Sequence, residues 1–196
     1  MKYLKPYKIF ENENNNQIPQ ELEVYLSRIS NKYPTLVPSF LEELSKYPDV
    51  KIEFRQLNRN FFGYYFRDQS VVVNNQFLTE QTFPMVIFLI FHEMGHVMQY
   101  RKTGHDVHAE IFRNTDKEEF FKSYIELEKD ANKFALERMN NIFKGDDMIY
   151  YQRIRQMAQY LPPKPPILNM WENWQRHRDS LNGFEDFHQF NGVYDI

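Results

Sequence analysis

His92-Glu93-Met94-Gly95-His96 places two imidazoles four residues apart, with a glutamate between them, inside a strongly apolar run. Residues four apart share one helix face, so both rings can bind a single Zn²⁺ while the glutamate sits beside the metal's water. The chemistry this spacing supports is zinc-assisted hydrolysis. Two histidines leave the site incomplete, because a catalytic zinc takes three protein ligands and keeps one position open. There is no cysteine in the chain, which removes thiolate ligands, disulfides and cysteine nucleophiles together. The third ligand must be another histidine or a carboxylate.

Glu128 is the carboxylate best placed downstream. Tyr124, Leu127, Ala131, Phe134 and Ala135 form an apolar stripe at helical spacing, and Glu128 lies on its edge. An inward carboxylate needs a partner or a metal to offset its desolvation. The small residues Ala131 and Ala135 would let the two helices come close, and Gly95, unfavourable in a helix interior, is explained by close approach of another segment. Asn132, one turn beyond Glu128, is placed to hold a zinc histidine through its second ring nitrogen. The plainer reading of this segment is a solvated surface helix carrying Glu126, Glu128, Lys129 and Asp130, and His105 or Glu110 is then the rival ligand. Gln99 and Lys102 exclude the form in which a third histidine follows six residues after the second.

H-E-x-x-H completed by a glutamate on a later helix resembles the gluzincin metallopeptidases. The segment Glu128-Lys129-Asp130-Ala131-Asn132-Lys133-Phe134-Ala135 is similar to the E-x-x-A-N-x-F-A stretch of the ImmA/IrrE group, and Val71-Val72-Val73-Asn74-Asn75 to the aliphatic strand that precedes its metal helix. The resemblance spans residues 60–140. It implies an α+β, zincin-like fold with one Zn²⁺ per chain held by His92, His96 and Glu128. Glu93 would be the general base that takes a proton from the attacking water and passes it to the leaving amine. The implied activity is peptide-bond hydrolysis in a specific intracellular protein, with Val71, Val72, Val73 and Asn74 as the edge strand that pairs with substrate backbone. An oxyanion donor is also required, and His105, His108, Tyr124 and Tyr151 stay open for that role. Gly104-His105-Asp106 resembles the SprT-like peptidases more loosely, which would make His105 the third ligand and DNA-associated proteins the substrate. A non-catalytic zincin-fold regulator or partner-binding protein is the competing class.

These residues need a frame. A chain of 196 residues that is 42% hydrophobic and 17% aromatic can bury one substantial core. The expected organisation is a metallopeptidase domain over 1–161, a proline-rich linker at 162–166 and an aromatic C-terminal extension over 167–196, which packs back on the domain, covers the cleft or docks on a partner protein. A net charge of −3 with no basic block argues against general nucleic-acid binding. The longest apolar run, 83–91, is too short to span a membrane, and no secretory h-region opens the chain, so a cytoplasmic protein is expected.

Along the chain, helices are predicted at 19–30 and from Ser39, where Ser39-Phe40-Leu41-Glu42 has capping-box form. A small antiparallel or mixed sheet follows, drawn as a three-strand meander over 50–54, 61–66 and 70–74, in which Phe61, Phe62, Tyr64, Tyr65 and Phe66 pack across strands. The metal helix starts at a Thr79 or Thr82 cap with Pro84 in its first turn and stops at Gly104. Residues 105–116 read as a loop with His108 exposed. Helices at 116–140 and 148–160 and a short one at 168–180 complete the pattern.

Overall fold

The computed structural model describes residues 18–56, 63–65 (backbone only), 70–79, 82–159, 171–172 and 175–176. Its first helix, α1 (Gln20–Ile29), buries Leu22, Tyr25, Leu26 and Ile29, the one-face spacing of an amphipathic helix. α2 (Leu36–Leu44) starts three residues before the capping box predicted at Ser39, and its N-cap Thr35 makes no side-chain cap. Burial explains the earlier start, since Leu36 and Val37 are fully enclosed, and Pro38 is tolerated in a first turn whose N–H groups have no helical partner.

Strands β1 (Lys51–Arg55), β2 (Gly63–Tyr65) and β3 (Ser70–Asn74) form a sheet of order β1-β3-β2. β3 runs parallel to β1, with Ile52 opposite Val71, and antiparallel to β2, with Tyr64 opposite Val72. The sheet is therefore mixed but is not the meander expected from strand spacing. Every residue of β3 is buried, and a strand apolar on both faces belongs in the middle of a sheet rather than at its margin.

α3 (Phe83–Thr103) is buried from Phe83 to Phe91 except at the half-buried Met85. Pro84 lies in its first turn, Thr82 is its N-cap without a side-chain bond, and Gly104 ends it in the left-handed region at φ 74°. Where a loop was expected, α4 (Val107–Arg113) forms, started by Asp106, whose carboxylate accepts from Ala109 N–H at 3.0 Å. α5 (Lys117–Ile142) is capped in the same way by Asp116 on Glu119 N–H. It packs along α3, and α6 (Met148–Ala158) packs on both.

The main core fills the space among α1, α2, the sheet, α3 and the C-terminal half of α5. A second, smaller core consists of Ala109, Phe112, Phe120 and Tyr124, with Trp171 packed against it. Trp171 donates its indole N–H to Asn114 O at 3.1 Å, so this part of the expected C-terminal extension packs back on the domain. Residues 171, 172, 175 and 176 are helical; the proline-rich stretch 162–166, the rest of 167–196 and the side chains of 61–66 lie outside the described residues.

Candidate metal centre

α3 and α5 cross at their smallest residues. A Cβ added to Gly95 would lie 2.9 Å from Ala131 Cα and 3.2 Å from its Cβ, closer than real side-chain contacts allow. This approach brings His92 and His96, on either side of Gly95, up to Glu128, one turn before Ala131. His92 Nε2 and His96 Nε2 are 3.3 Å apart, and the Glu128 carboxylate lies 3.3 Å from the first and 3.6 Å from the second. Four ligands arranged tetrahedrally about 2.05 Å from a zinc ion are separated by roughly 3.3 Å. The two nitrogens have that spacing, each faces a different oxygen of the Glu128 carboxylate at a similar distance, and one donor atom from each of the three residues lies within 4.8 Å of the others.

Hydrogen bonding argues in the same direction. Gln99 donates its amide N–H to Leu127 O at 2.8 Å, which turns its Oε1 to His96 Nδ1 at 2.7 Å. That ring nitrogen therefore carries the proton, and in the neutral ring the Nε2 lone pair faces His92 and a carboxylate. Burial, aided by the neighbouring rings of His108 and His92, keeps the His96 pKa well below 6.5 despite Glu128, so the lone pair stays bare. A lone pair opposite a carboxylate is stable only with a cation or a proton between them.

Without metal that role falls to a proton on His92. Burial is the largest influence on His92 and opposes protonation, but the hydrogen bond and charge of Glu128, with help from Glu93, raise its pKa to about 9. Burial likewise pushes Glu128 upward, and the surrounding His96, His108 and His92 outweigh it and hold the carboxyl well below its usual range. Glu93 is 7% exposed, and its pKa is raised by burial to about 7, with His92 opposing and Glu128 adding to the rise.

Two further groups converge on Glu128. His108, expected as an exposed loop residue, is 7% exposed on α4, with Nε2 3.4 Å from Glu128 Oε1 and its ring 4.5 Å from that of His96. Its burial follows from α4, whose inner face also buries Ala109 and Phe112. The Tyr124 hydroxyl interacts with Glu128 as well, and burial first, then that carboxylate, holds its pKa well above 10. Asn132 is buried and donates to Ala158 O at 3.3 Å. Its Oδ1 and His92 Nδ1 are both buried without a hydrogen bond in good geometry, although the Asn132 side chain contributes to raising the His92 pKa. An acceptor and a ring N–H are complementary, so a small adjustment joins them.

Other predicted site residues are placed elsewhere. His105 is exposed and bonds Glu110 at 2.8 Å, so the two rival ligands pair with each other on the surface. Tyr151 is buried on α6 and lines a cavity with residues of α5. Val71, Val72, Val73 and Asn74 form the central strand, and β1 and β2 occupy both of its edges. They cannot present a free ladder to a substrate, which corrects the edge-strand expectation. Gln99 was noticed only as a departure from a motif, yet it is the residue that orients His96. Its position, three residues after the second histidine on the same helix face, was the available signal. No family model, no curated protein and no solved structure matches the chain.

Proposed function

We propose that this chain is a zinc-dependent peptidase in which His92, His96 and Glu128 hold the metal and Glu93 handles the proton. The observation that carries the reading is the convergence of two imidazole nitrogens 3.3 Å apart on the two oxygens of one carboxylate, at 3.3 and 3.6 Å, beside the buried Glu93. When bound, zinc supplies a Lewis acid that polarises a carbonyl and brings the pKa of water to about 7.

Glu93, with its own pKa raised to about 7, can accept a proton and release it to a leaving amine within one pH range. Tyr124 keeps its hydroxyl proton at any ordinary pH, and with His108 it is a donor suited to an oxyanion forming on the Glu128 side. His105 is exposed and paired with Glu110, and Tyr151 lines the α5–α6 cavity, so neither is favoured for that role. An extended substrate needs an open strand edge, and the outer edge of β2, which packs against α3, supplies one among the described residues.

A second reading keeps the metal and drops the chemistry. Its support is burial, since His96, Glu93 and Glu128 are 3%, 7% and 9% exposed, as in a metal site that only ties helices together. Glu93→Gln separates the two readings. Incubated with a proteome-derived peptide library and read by mass spectrometry, the zinc-loaded parent should generate new termini, and the variant should do so about 10²–10⁴-fold more slowly at unchanged zinc content. A variant as active as the parent overturns the general-base role. A zinc-loaded parent that cleaves nothing supports the second reading, and a parent that takes up no zinc removes both.

A further inference from the structure

Asn132 also lines an open cavity of about 560 Å³ between α5 and α6, within the range of small-molecule sites. Its floor is apolar, built from Leu136, Tyr151 and Ala158, and three cations stand on its rim: Lys129 and Lys133 one turn apart on α5, and Arg155 on α6. Among the described residues these three make no hydrogen bond or ion pair. The one acidic residue on the rim, Glu137, lies beside Arg138 at 3.9 Å.

Lys129 and Lys133 repel each other at this spacing, and an anion between them reverses that repulsion. Arg155 adds a planar fork of donors suited to a carboxylate, sulfonate or phosphate. A purely inorganic anion would leave the apolar floor unused. We propose that the α5–α6 cavity binds an amphipathic organic anion, with its apolar body on Leu136, Tyr151 and Ala158 and its acidic group among Lys129, Lys133 and Arg155. None of His92, His96 and Glu128 lines this cavity, and Asn132 is the lining residue that also acts on His92.

Anilinonaphthalene sulfonate has this chemistry and fluoresces when its rings leave water. Titrated into the full chain, it should bind saturably at one site per chain. The double variant Lys133→Glu/Arg155→Glu, whose positions are exposed, should bind it roughly tenfold or more weakly, with circular dichroism and melting unchanged. His92→Ala/His96→Ala should bind it as the parent does, so failure of the metal reading leaves this test intact. An alkyl carboxylate or aryl phosphate should displace the dye at concentrations where inorganic phosphate does not. The proposal is overturned if the folded double variant binds the dye as tightly as the parent, or if inorganic phosphate displaces it as well as the organic anions do.

Discussion

At His92 two forces compete. Burial disfavours the charged ring, while Glu128 at 3.3 Å and Glu93 favour it, and the outcome is a pKa raised to about 9. A histidine with a raised folded-state pKa stabilises the metal-free fold fully below the unfolded value near 6.5, and that contribution is lost as pH rises through 9. Metal needs the same nitrogen unprotonated, so zinc must displace this proton. At pH 8, above the Glu93 midpoint of about 7, calorimetry in buffers of different ionisation enthalpy should show about one proton released per zinc. Apparent affinity should tighten by up to about tenfold per pH unit until it levels near pH 9, and an affinity independent of pH over this interval would remove the His92 assignment. Ligand identity is a separate matter at the same scale. Glu128→Ala should lose zinc on dialysis, and His105→Ala, altering a residue paired with Glu110 on the surface, should retain it.

The metal centre depends on how α3 meets α5, and Gly95 sets that distance. Gly95→Ala gains about 1 kcal/mol of helix propensity, but its methyl would overlap Ala131 Cα, a backbone atom that moves only with the whole helix. Overpacking of this kind costs about 1–3 kcal/mol, so denaturant melts should show a net loss of up to about 2 kcal/mol and a weaker zinc affinity than the parent. A stabilised variant with unchanged affinity would show that the crossing is loose. This contact was legible in the chain, because a glycine out of place in one helix and alanines at helical spacing in another imply each other. The H-E-x-x-H and E-x-x-A-N segments were legible for the same reason, since periodicity fixes which side chains share a face. Sheet order was not, because β3 becomes central through contacts with both β1 and β2 that local spacing does not encode. α4 was missed because seven residues carry too little periodicity to outweigh Gly104 and the polar residues before it. His108 was lost with it.

Across the molecule, the metal centre lies where the two hydrophobic cores meet. His92 and His96 project from α3 beside Phe91, Met94 and Val97 of the main core, while His108 and Tyr124 adjoin Phe112 and Phe120 of the smaller one. Among the described residues, no helix is long and apolar enough to cross a membrane; the long apolar α3 runs through the main core. A metal held by α3 and α5 would join these cores, and zinc would then stabilise the whole fold in either proposed reading. Free zinc at about a thousand times its dissociation constant adds about 4 kcal/mol. For a chain of this length, where 1 kcal/mol moves the midpoint by about 2–4 °C, that is a rise of roughly 8–16 °C. Chelation should reverse the rise, and His92→Ala/His96→Ala should show none of it. Hydrogen exchange locates the effect: without zinc, α4 and the N-terminal turns of α5 should lose protection first, because the small core around Phe112 and Phe120 has the least apolar burial to hold it. Equal protection of α4 with and without zinc would mean that the metal does not join the two cores.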